Sequence, residues 1–123
     1  MTNTRIDIGK RGETLAISFL KKNGYRIIES NFRCRYGEID IIAQDGKTVA
    51  FIEVKTKTSN RFGSPTQAVD SRKQRQVSKT ALAYISQKRL TNYSARFDVV
   101  GINIKGSNSE IELIKNAFEL CFK

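Results

Sequence analysis

The chain is 123 residues long and 39% hydrophobic, which is the size and composition of one globular domain. Lys and Arg total 22 against 12 Asp and Glu, and the net charge of +10 favours a polyanionic partner such as nucleic acid. The absence of histidine excludes Ser-His-Asp triads, Cys-His pairs and HExxH zinc sites.

The two cysteines, Cys34 and Cys121, are too few for a disulfide framework or a cysteine-based zinc site, and we expect inert thiols. No apolar stretch approaches the roughly 20 residues that cross a bilayer. Residues 1–11 also lack the apolar segment of a secretory signal. We therefore expect a cytoplasmic protein without a membrane partner, folded as a single domain over residues 1–123.

The first half of the chain is predicted to form one helix and three strands. An apolar face over residues 9–23 indicates a helix. Residues 25–32 are typical of an edge strand, and residues 37–43 and 48–55 are strands rich in Ile and Val. The dipeptide Asp45-Gly46 between the last two is a strong signal for a hairpin turn.

The second half is predicted to form a long helix and two strands. Residues 64–67 (Ser-Pro-Thr-Gln) suit the start of a helix that runs to about residue 88. Residues 95–104 and 110–114 are typical of strands, and residues 115–123 of a terminal helix. This order predicts an α/β fold with a mixed sheet. The first three strands form an antiparallel meander, and the long helix makes the fourth strand parallel to the third.

Two acidic residues and a lysine lie inside predicted central strands, where charges are costly unless they are paired or bind a metal. They are Asp40, Glu53 and Lys55. A two-residue turn at Asp45-Gly46 pairs Asp40 with Phe51, so Asp40 and Glu53 become diagonal neighbours about 7–8 Å apart on one face. Lys55 shares that face, because side chains alternate along a strand. Two carboxylates at this spacing can hold one hard cation.

Each predicted helix carries a charge on its apolar stripe. Glu13 lies three and four positions before Ala16 and Ile17, so it faces the core side of its helix. Lys73 interrupts the otherwise apolar line of Val69, Val77, Ala81 and Ile85. Each has an ordinary explanation as well. Glu13 can complement the helix dipole, and Lys73 can extend from the margin of its helix into water.

The acids also admit a purely structural explanation. Asp40 and Glu53 can form an ion cluster with Lys55 and Arg35. We expect Asp98 to be structural, either paired with a neighbouring Arg or capping a turn. Several charges on one face, with a further acid directed inward in a basic chain, favour a metal-dependent phosphate site over a structural cluster.

Asp40 followed by Glu53-Val54-Lys55 resembles the D…ExK signature of the restriction-endonuclease-like nucleases. Nearly the whole chain resembles the YraN-like family of small bacterial proteins, which is similar to the archaeal Holliday-junction resolvases. Ile39 stands where many of these nucleases carry proline, but the resolvase branch lacks that proline too. The segments that carry the resemblance are Gly12-Glu13, Asn31-Phe32-Arg33, Gly37-Glu38-Ile39-Asp40, Phe51-Ile52-Glu53-Val54-Lys55, Phe62-Gly63, Arg72-Lys73-Gln74 and Arg96-Phe97-Asp98-Val99-Val100.

The resemblance implies a restriction-endonuclease-like αβββαβ core and a Mg²⁺- or Mn²⁺-dependent endonuclease acting on DNA, branched or junction DNA included. It implies that Asp40, Glu53 and the Val54 carbonyl bind the metal, with Glu13 assisting directly or through water. It further implies that Lys55 orients the attacking water and stabilises the developing charge, and that Lys73 contacts the scissile phosphate. Because the resolvases act as dimers, it also suggests a homodimer.

Affinity for DNA is expected from basic residues on or beside the elements that border this site, which would read phosphates and shape and not base sequence. No base-reading helix motif, zinc finger or RNA-binding aromatic signature is present. Two other functions stay open: a non-catalytic nucleic-acid-binding module of the same fold, and a structural protein recruited to an acidic partner. The basic residues are Arg33, Arg35, Lys57, Arg61, Arg72, Arg75 and Lys79.

Overall fold

The computed structural model describes residues 4–58, 70–90 and 92–119, with side chains from residue 8 onward. Two helices and five strands follow the predicted order, which confirms the α/β class. No helix in these ranges is both long enough and apolar enough to cross a membrane. The elements are α1 (Thr4–Lys22), β1 (Arg26–Cys34), β2 (Gly37–Asp45), β3 (Thr48–Lys57), α2 (Ser71–Lys88), β4 (Ser94–Lys105) and β5 (Asn108–Phe118).

The five strands form one mixed sheet in the order β1-β2-β3-β4-β5. β1, β2 and β3 pair antiparallel, as predicted for the meander. β4 pairs parallel to β3 and antiparallel to β5. The stretch of chain that contains α2 connects the two parallel strands, because a parallel pair needs a crossover and cannot be joined by a tight turn.

The helices cover opposite faces of the sheet, so the central strands are apolar on both faces. Ala16 and Leu20 of α1 are buried in one core cluster, and Val77, Ala81 and Tyr84 of α2 are buried in the other. Alternate residues of β3 enter the two clusters: Ala50 and Ile52 face α1, and Val49 and Phe51 face α2. A charged residue in these strands therefore has little access to water unless it lies at the end of the sheet.

The hairpin between β2 and β3 forms one position later than the dipeptide signal predicts. Asp45 pairs with Thr48, so Gly46 and Lys47 are the central residues of the turn. Gly46 has a φ of 64°, which suits the first central position of a hairpin turn. The glycine, and not the preceding aspartate, therefore determines where the chain reverses.

This shift corrects the predicted register without changing the face of either acid. Ile41 pairs with Ile52, and the next pair in the same register is Asp40 with Glu53. The prediction that Asp40 stands opposite Phe51 is therefore wrong by two residues. Because side chains alternate with a period of two, the two acids still share a face, as direct neighbours and not diagonal ones.

The predicted start of the second helix is also corrected. α2 begins at Ser71, and Asp70 is its N-cap, with extended backbone (φ −77°, ψ 176°). The Asp70 carboxylate accepts a hydrogen bond from the Lys73 N–H at 2.9 Å, which satisfies a free donor of the first turn. Asp70 therefore interrupts the continuous helix expected from residue 64. Residues 59–69, which include the predicted Ser64 cap, lie outside the described residues.

The chain after β4 forms one long strand where a short strand and a terminal helix were expected. β5 continues to Phe118, so the helix predicted from residue 115 is wrong over residues 115–118. The Phe118 ring stacks on Phe97 at 4.8 Å, and the Asn116 N–H donates to Asp98 at 2.9 Å. These contacts hold the end of β5 against β4. Cys121 lies outside the described residues.

Candidate active site

A cleft of about 350 Å³ opens where β2 and β3 cease to pair, beside α1. The pairing ends at Ile41 and Ile52, and beyond it the Val54 N–H donates to the Asp40 carboxylate at 2.8 Å. The Asp40 side chain, and not the neighbouring backbone, thus accepts the hydrogen bond from Val54, and β2 and β3 separate at this point. The cleft is lined by Gly9, Glu13, Asp40, Val54, Lys55 and Thr56.

Helix α1 reaches the cleft because Gly12 lets it lie close to β3. A Cβ on Gly12 would overlap Thr56 Oγ1 and would lie 2.9 Å from Thr56 Cγ2. The next residue, Glu13, is thereby brought to the wall of the cleft. Its carboxylate accepts a hydrogen bond from Asn31 Nδ2 of β1 at 2.8 Å. Glu13 is thus held in the site region, as its place on the apolar stripe predicts, and does not extend into bulk solvent.

The surroundings of Asp40 in the cleft raise its pKa. Burial, followed by repulsion from the neighbouring carboxylate of Glu53, raises the pKa of Asp40 to about 7, and Glu13 adds a smaller repulsion. The Val54 N–H opposes this shift by donating to the ionised form. Among the described side chains, which begin at residue 8, no Lys or Arg forms an ion pair with Asp40. A cation in the cleft would supply the counter-charge that Asp40 lacks.

Glu53, in contrast, already contacts two lysines. Its Oε2 lies 3.4 Å from Lys55 Nζ and 3.6 Å from Lys73 Nζ, and its side chain is only 10% exposed. Lys55 comes from the same strand, and Lys73 comes from the first turn of α2. Both lysine side chains are about one-third exposed, so they can also contact a ligand in the cleft.

The structure therefore brings together six of the residues selected from the sequence. The alternative ion cluster with Arg35 does not form, because the Arg35 guanidinium instead donates to Tyr36 Oη at 2.7 Å. Glu38 is exposed and pairs with Arg33 at 3.0 Å, so it stands apart from the site acids. The six residues are Glu13, Asp40, Glu53, Val54, Lys55 and Lys73.

The remaining basic residues are dispersed around this region. Arg33 and Arg35 are exposed at the end of β1 and in the following turn, and Lys57 is exposed at the end of β3. Arg61 lies outside the described residues. The exposed basic residues of α2 are Arg72, Arg75 and Lys79.

Three contributors to the site escaped the sequence reasoning. Gly9 precedes Glu13 by four residues, and this helical spacing is the one signal that could have placed both on the cleft. Thr56 and Asn31 act through contacts between elements, which the sequence pattern does not contain.

The site residues fit a hard cation that keeps most of its water. Asp40 and Glu53 supply oxygen donors on one face, and Mg²⁺ is commonly bound through one or two carboxylates. In the described part of the chain no three His, Cys, Asp or Glu side chains are placed to hold a metal by themselves. Glu13 is therefore better placed to act through a water molecule than as a direct third ligand.

Sheet and cleft together define an α/β protein with an acid–lysine site at the end of a mixed sheet. The chain belongs to the family described as "Uncharacterised protein family UPF0102", whose model matches residues 12–102. A UPF0102 protein of Geobacter metallireducens is 52% identical over 115 residues, 94% of each chain. One from Syntrophus aciditrophicus is 53% identical over 114 residues, which is 93% of this chain and 90% of the relative. One from Clostridium botulinum is 50% identical over 117 residues, 93% of this chain and 95% of the relative.

Proposed function

We propose that this protein is an endonuclease that hydrolyses DNA phosphodiester bonds with Mg²⁺ or Mn²⁺ as its cofactor. The observation that carries the proposal is the partly buried carboxylate of Asp40, which lies beside Glu53 and has no cationic partner among the described side chains. The resemblance of Asp40 and Glu53-Val54-Lys55 to the restriction-endonuclease-like nucleases and the Holliday-junction resolvases supports the same assignment.

Asp40, Glu53 and the Val54 carbonyl would hold the metal ion. When bound, such an ion supplies Lewis-acid polarisation of the phosphoryl group and of a water molecule. The Val54 N–H fixes the Asp40 carboxylate in place, so the donor does not have to be ordered when the ion enters. Glu13, fixed by Asn31, would hold a water molecule at the α1 side of the cleft.

The two lysines would have different roles in the reaction. Lys55 lines the cleft and would orient the attacking water and stabilise the negative charge that develops on the phosphate. Lys73, on α2, contacts the same oxygen of Glu53 as Lys55 does and would bind the scissile phosphate. A site of this kind performs acid–base chemistry with lysine and polarised water, which agrees with the absence of histidine.

A second candidate is a nucleic-acid-binding module without catalysis. The observation that favours it is the contact of Glu53 with both Lys55 and Lys73, since these three groups carry a net charge of +1 without any metal. Such a set can bind a phosphate directly. Asp40 argues against this candidate, because phosphate binding does not require a partly buried carboxylate that repels the ligand.

The test is cleavage of a panel of linear, nicked, flapped and four-way-branched DNAs with Mg²⁺, Mn²⁺ or EDTA. We expect cleavage only with a divalent ion and loss of cleavage in Glu53→Gln and Lys55→Ala. Glu110→Gln is the matched control, because Glu110 is an exposed acid of β5 that pairs with Lys105 at 3.1 Å and does not line the cleft. If the wild type cleaves no substrate but binds them, the non-catalytic module is the better assignment.

The resemblance to the resolvases also suggests that two copies act together, and we propose a homodimer on DNA. Sedimentation of the protein with and without a four-way junction tests this, with a complex of two chains expected on the junction.

A further inference from the structure

The turn between β1 and β2 presents an exposed aromatic ring. Tyr36 is 39% exposed, and the guanidinium carbon of Arg35 lies 4.8 Å from its ring centroid. Arg35 also donates a hydrogen bond to Tyr36 Oη at 2.7 Å, which restrains the ring. No other aromatic ring in the described ranges stacks on Tyr36. The ring is therefore oriented by a cation and still has surface open to a ligand.

This turn packs against the helix that carries one of the site lysines. Gly37 packs against α2 so closely that a Cβ on it would lie 2.8 Å from Gln76 Cγ. Gln76 follows Lys73 by three residues, and the two are neighbours on one helix face. Lys73 Nζ lies 3.6 Å from Glu53 Oε2, so α2 connects the turn with the carboxylates.

The distance between Tyr36 and the site suits a nucleic-acid strand. Tyr36 precedes Asp40 by four residues, which is about 13 Å along an extended strand. Exposed arginines belong to the two elements next to the turn: Arg33 to β1, and Arg72 and Arg75 to α2. A strand whose phosphate occupies the cleft can therefore bring a base to the Tyr36 ring while its backbone contacts arginines.

We propose that Tyr36 is a stacking platform for an unpaired nucleobase, so that the strand to be cut is unpaired beside the scissile bond. The position relative to that bond rests on the proposed nuclease function, but the stacking itself does not. Bases in an intact duplex are already stacked on both faces, whereas an unpaired base can stack on tyrosine and on an arginine plane. Arg35 gives the platform its positive charge.

The experiment compares nucleic acids that differ in whether an unpaired base is present. Fluorescence anisotropy in EDTA and at fixed salt measures the binding of three labelled ligands: an oligothymidylate of about 15 nucleotides, an abasic oligomer with the same phosphate backbone, and a blunt duplex of that length. We expect the wild type to prefer the oligothymidylate over the abasic oligomer. Tyr36→Ala should weaken oligothymidylate binding about 5- to 100-fold and leave the other two affinities unchanged.

Two variants make the result specific to the ring. Tyr36→Phe keeps the stacking surface and should keep the preference. Tyr93→Ala removes a ring that is similarly exposed, 43% against 39%, but lies just before β4, at the hairpin end of the sheet. It should leave every affinity unchanged. An oligouridylate should show the same dependence on Tyr36, because the stacked surface is the base and not the sugar.

The proposal is overturned if Tyr36→Ala binds all three ligands as the wild type does, if it weakens all three equally, or if no oligothymidylate binding is seen. These outcomes are independent of cleavage, because the metal is chelated throughout. Loss of stacking with cleavage retained would remove only this inference. If binding depends on stacking at Tyr36 but the wild type cleaves no substrate, the nuclease proposal is wrong and the stacking proposal stands.

Discussion

Asp98 and Asp40 show how hydrogen-bond and charge partners distinguish a structural acid from a candidate functional one. Asp98 is fully buried and accepts hydrogen bonds from Tyr25 Oη, from the Arg96 guanidinium and from the Asn116 N–H, at 2.9–3.0 Å. Asp40 has one backbone N–H and two neighbouring acids. The first pattern stabilises a fold, and the second leaves a negative charge for a ligand to neutralise.

The network around Asp98 extends to the hairpin, and it gives the fold a pH-dependent component. Arg96 Nη2 lies 2.8 Å from Asp45 Oδ2, and Lys115 Nζ lies 3.3 Å from the same oxygen. The hydrogen bond from Arg96 holds the pKa of Asp45 below its usual value. Stability from this contact is therefore present above the unfolded pKa of about 4 and is lost as the pH falls through the lower folded value.

We expect Asp45→Asn to lower the free energy of unfolding at pH 7 by about 1 kcal/mol or less, because the carboxylate is partly exposed and screened by water. The difference from the wild type should shrink on acidification. Urea denaturation at pH 7 and at pH 3 measures both values. A constant difference between the two proteins at both pH values would contradict this account.

At the scale of elements, the close approach of α1 to β3 forms one wall of the candidate site. Gly12→Ala should lower the free energy of unfolding by about 1–3 kcal/mol, since Thr56 is β-branched and the two elements must move apart. Gly9→Ala is the matched control in the same helix. A Cβ on Gly9 meets nothing within 4 Å, so its better helix propensity should add about 0.5–1 kcal/mol. Thermal unfolding measures both, and equal effects would show that the approach at Gly12 is not tight.

The strands could be predicted from the sequence because alternation fixes which residues face each helix. In β3, Val49 and Phe51 face α2 while Ala50 and Ile52 face α1. The register could not be predicted, because turns centred on Asp45-Gly46 and on Gly46-Lys47 preserve the same alternation. For that reason, Asp40 and Glu53 share a face as predicted, although the predicted register was wrong.

The ends of helices and strands could not be predicted, because they depend on contacts that the local sequence does not contain. Ser64 and Asp70 are both suitable helix caps, and only the structure shows that Asp70 caps α2. The end of β5 follows from stacking of Phe118 on Phe97. In the candidate site, the acids and Lys55 share one hairpin and could be predicted, whereas the hydrogen bond of Glu13 to Asn31 joins α1 to β1.

At the scale of the whole molecule, we expect the net charge of +10 to govern the affinity for DNA and its dependence on salt. If several phosphates are neutralised on binding, affinity for DNA should fall about 100-fold or more between roughly 50 and 200 mM salt. Arg75→Gln, on the exposed side of α2, should reduce the slope of log Kd against log salt by about 1. Lys105→Gln, at the end of β4 and paired with Glu110, is the control and should not change it. A salt-independent affinity would mean that the charge serves another partner.

The central claim is that Asp40 serves a metal ion and not the binding of DNA, and one comparison tests it directly. Cleavage with Mg²⁺ and gel-shift binding in EDTA are measured on the same DNA substrate for the wild type, Asp40→Asn and the control Glu110→Gln. We expect Asp40→Asn to lose cleavage while it binds DNA as well as or better than the wild type, because the amide keeps the volume and removes a charge that repels phosphate. Cleavage by Asp40→Asn at the wild-type rate would contradict the assignment of this site.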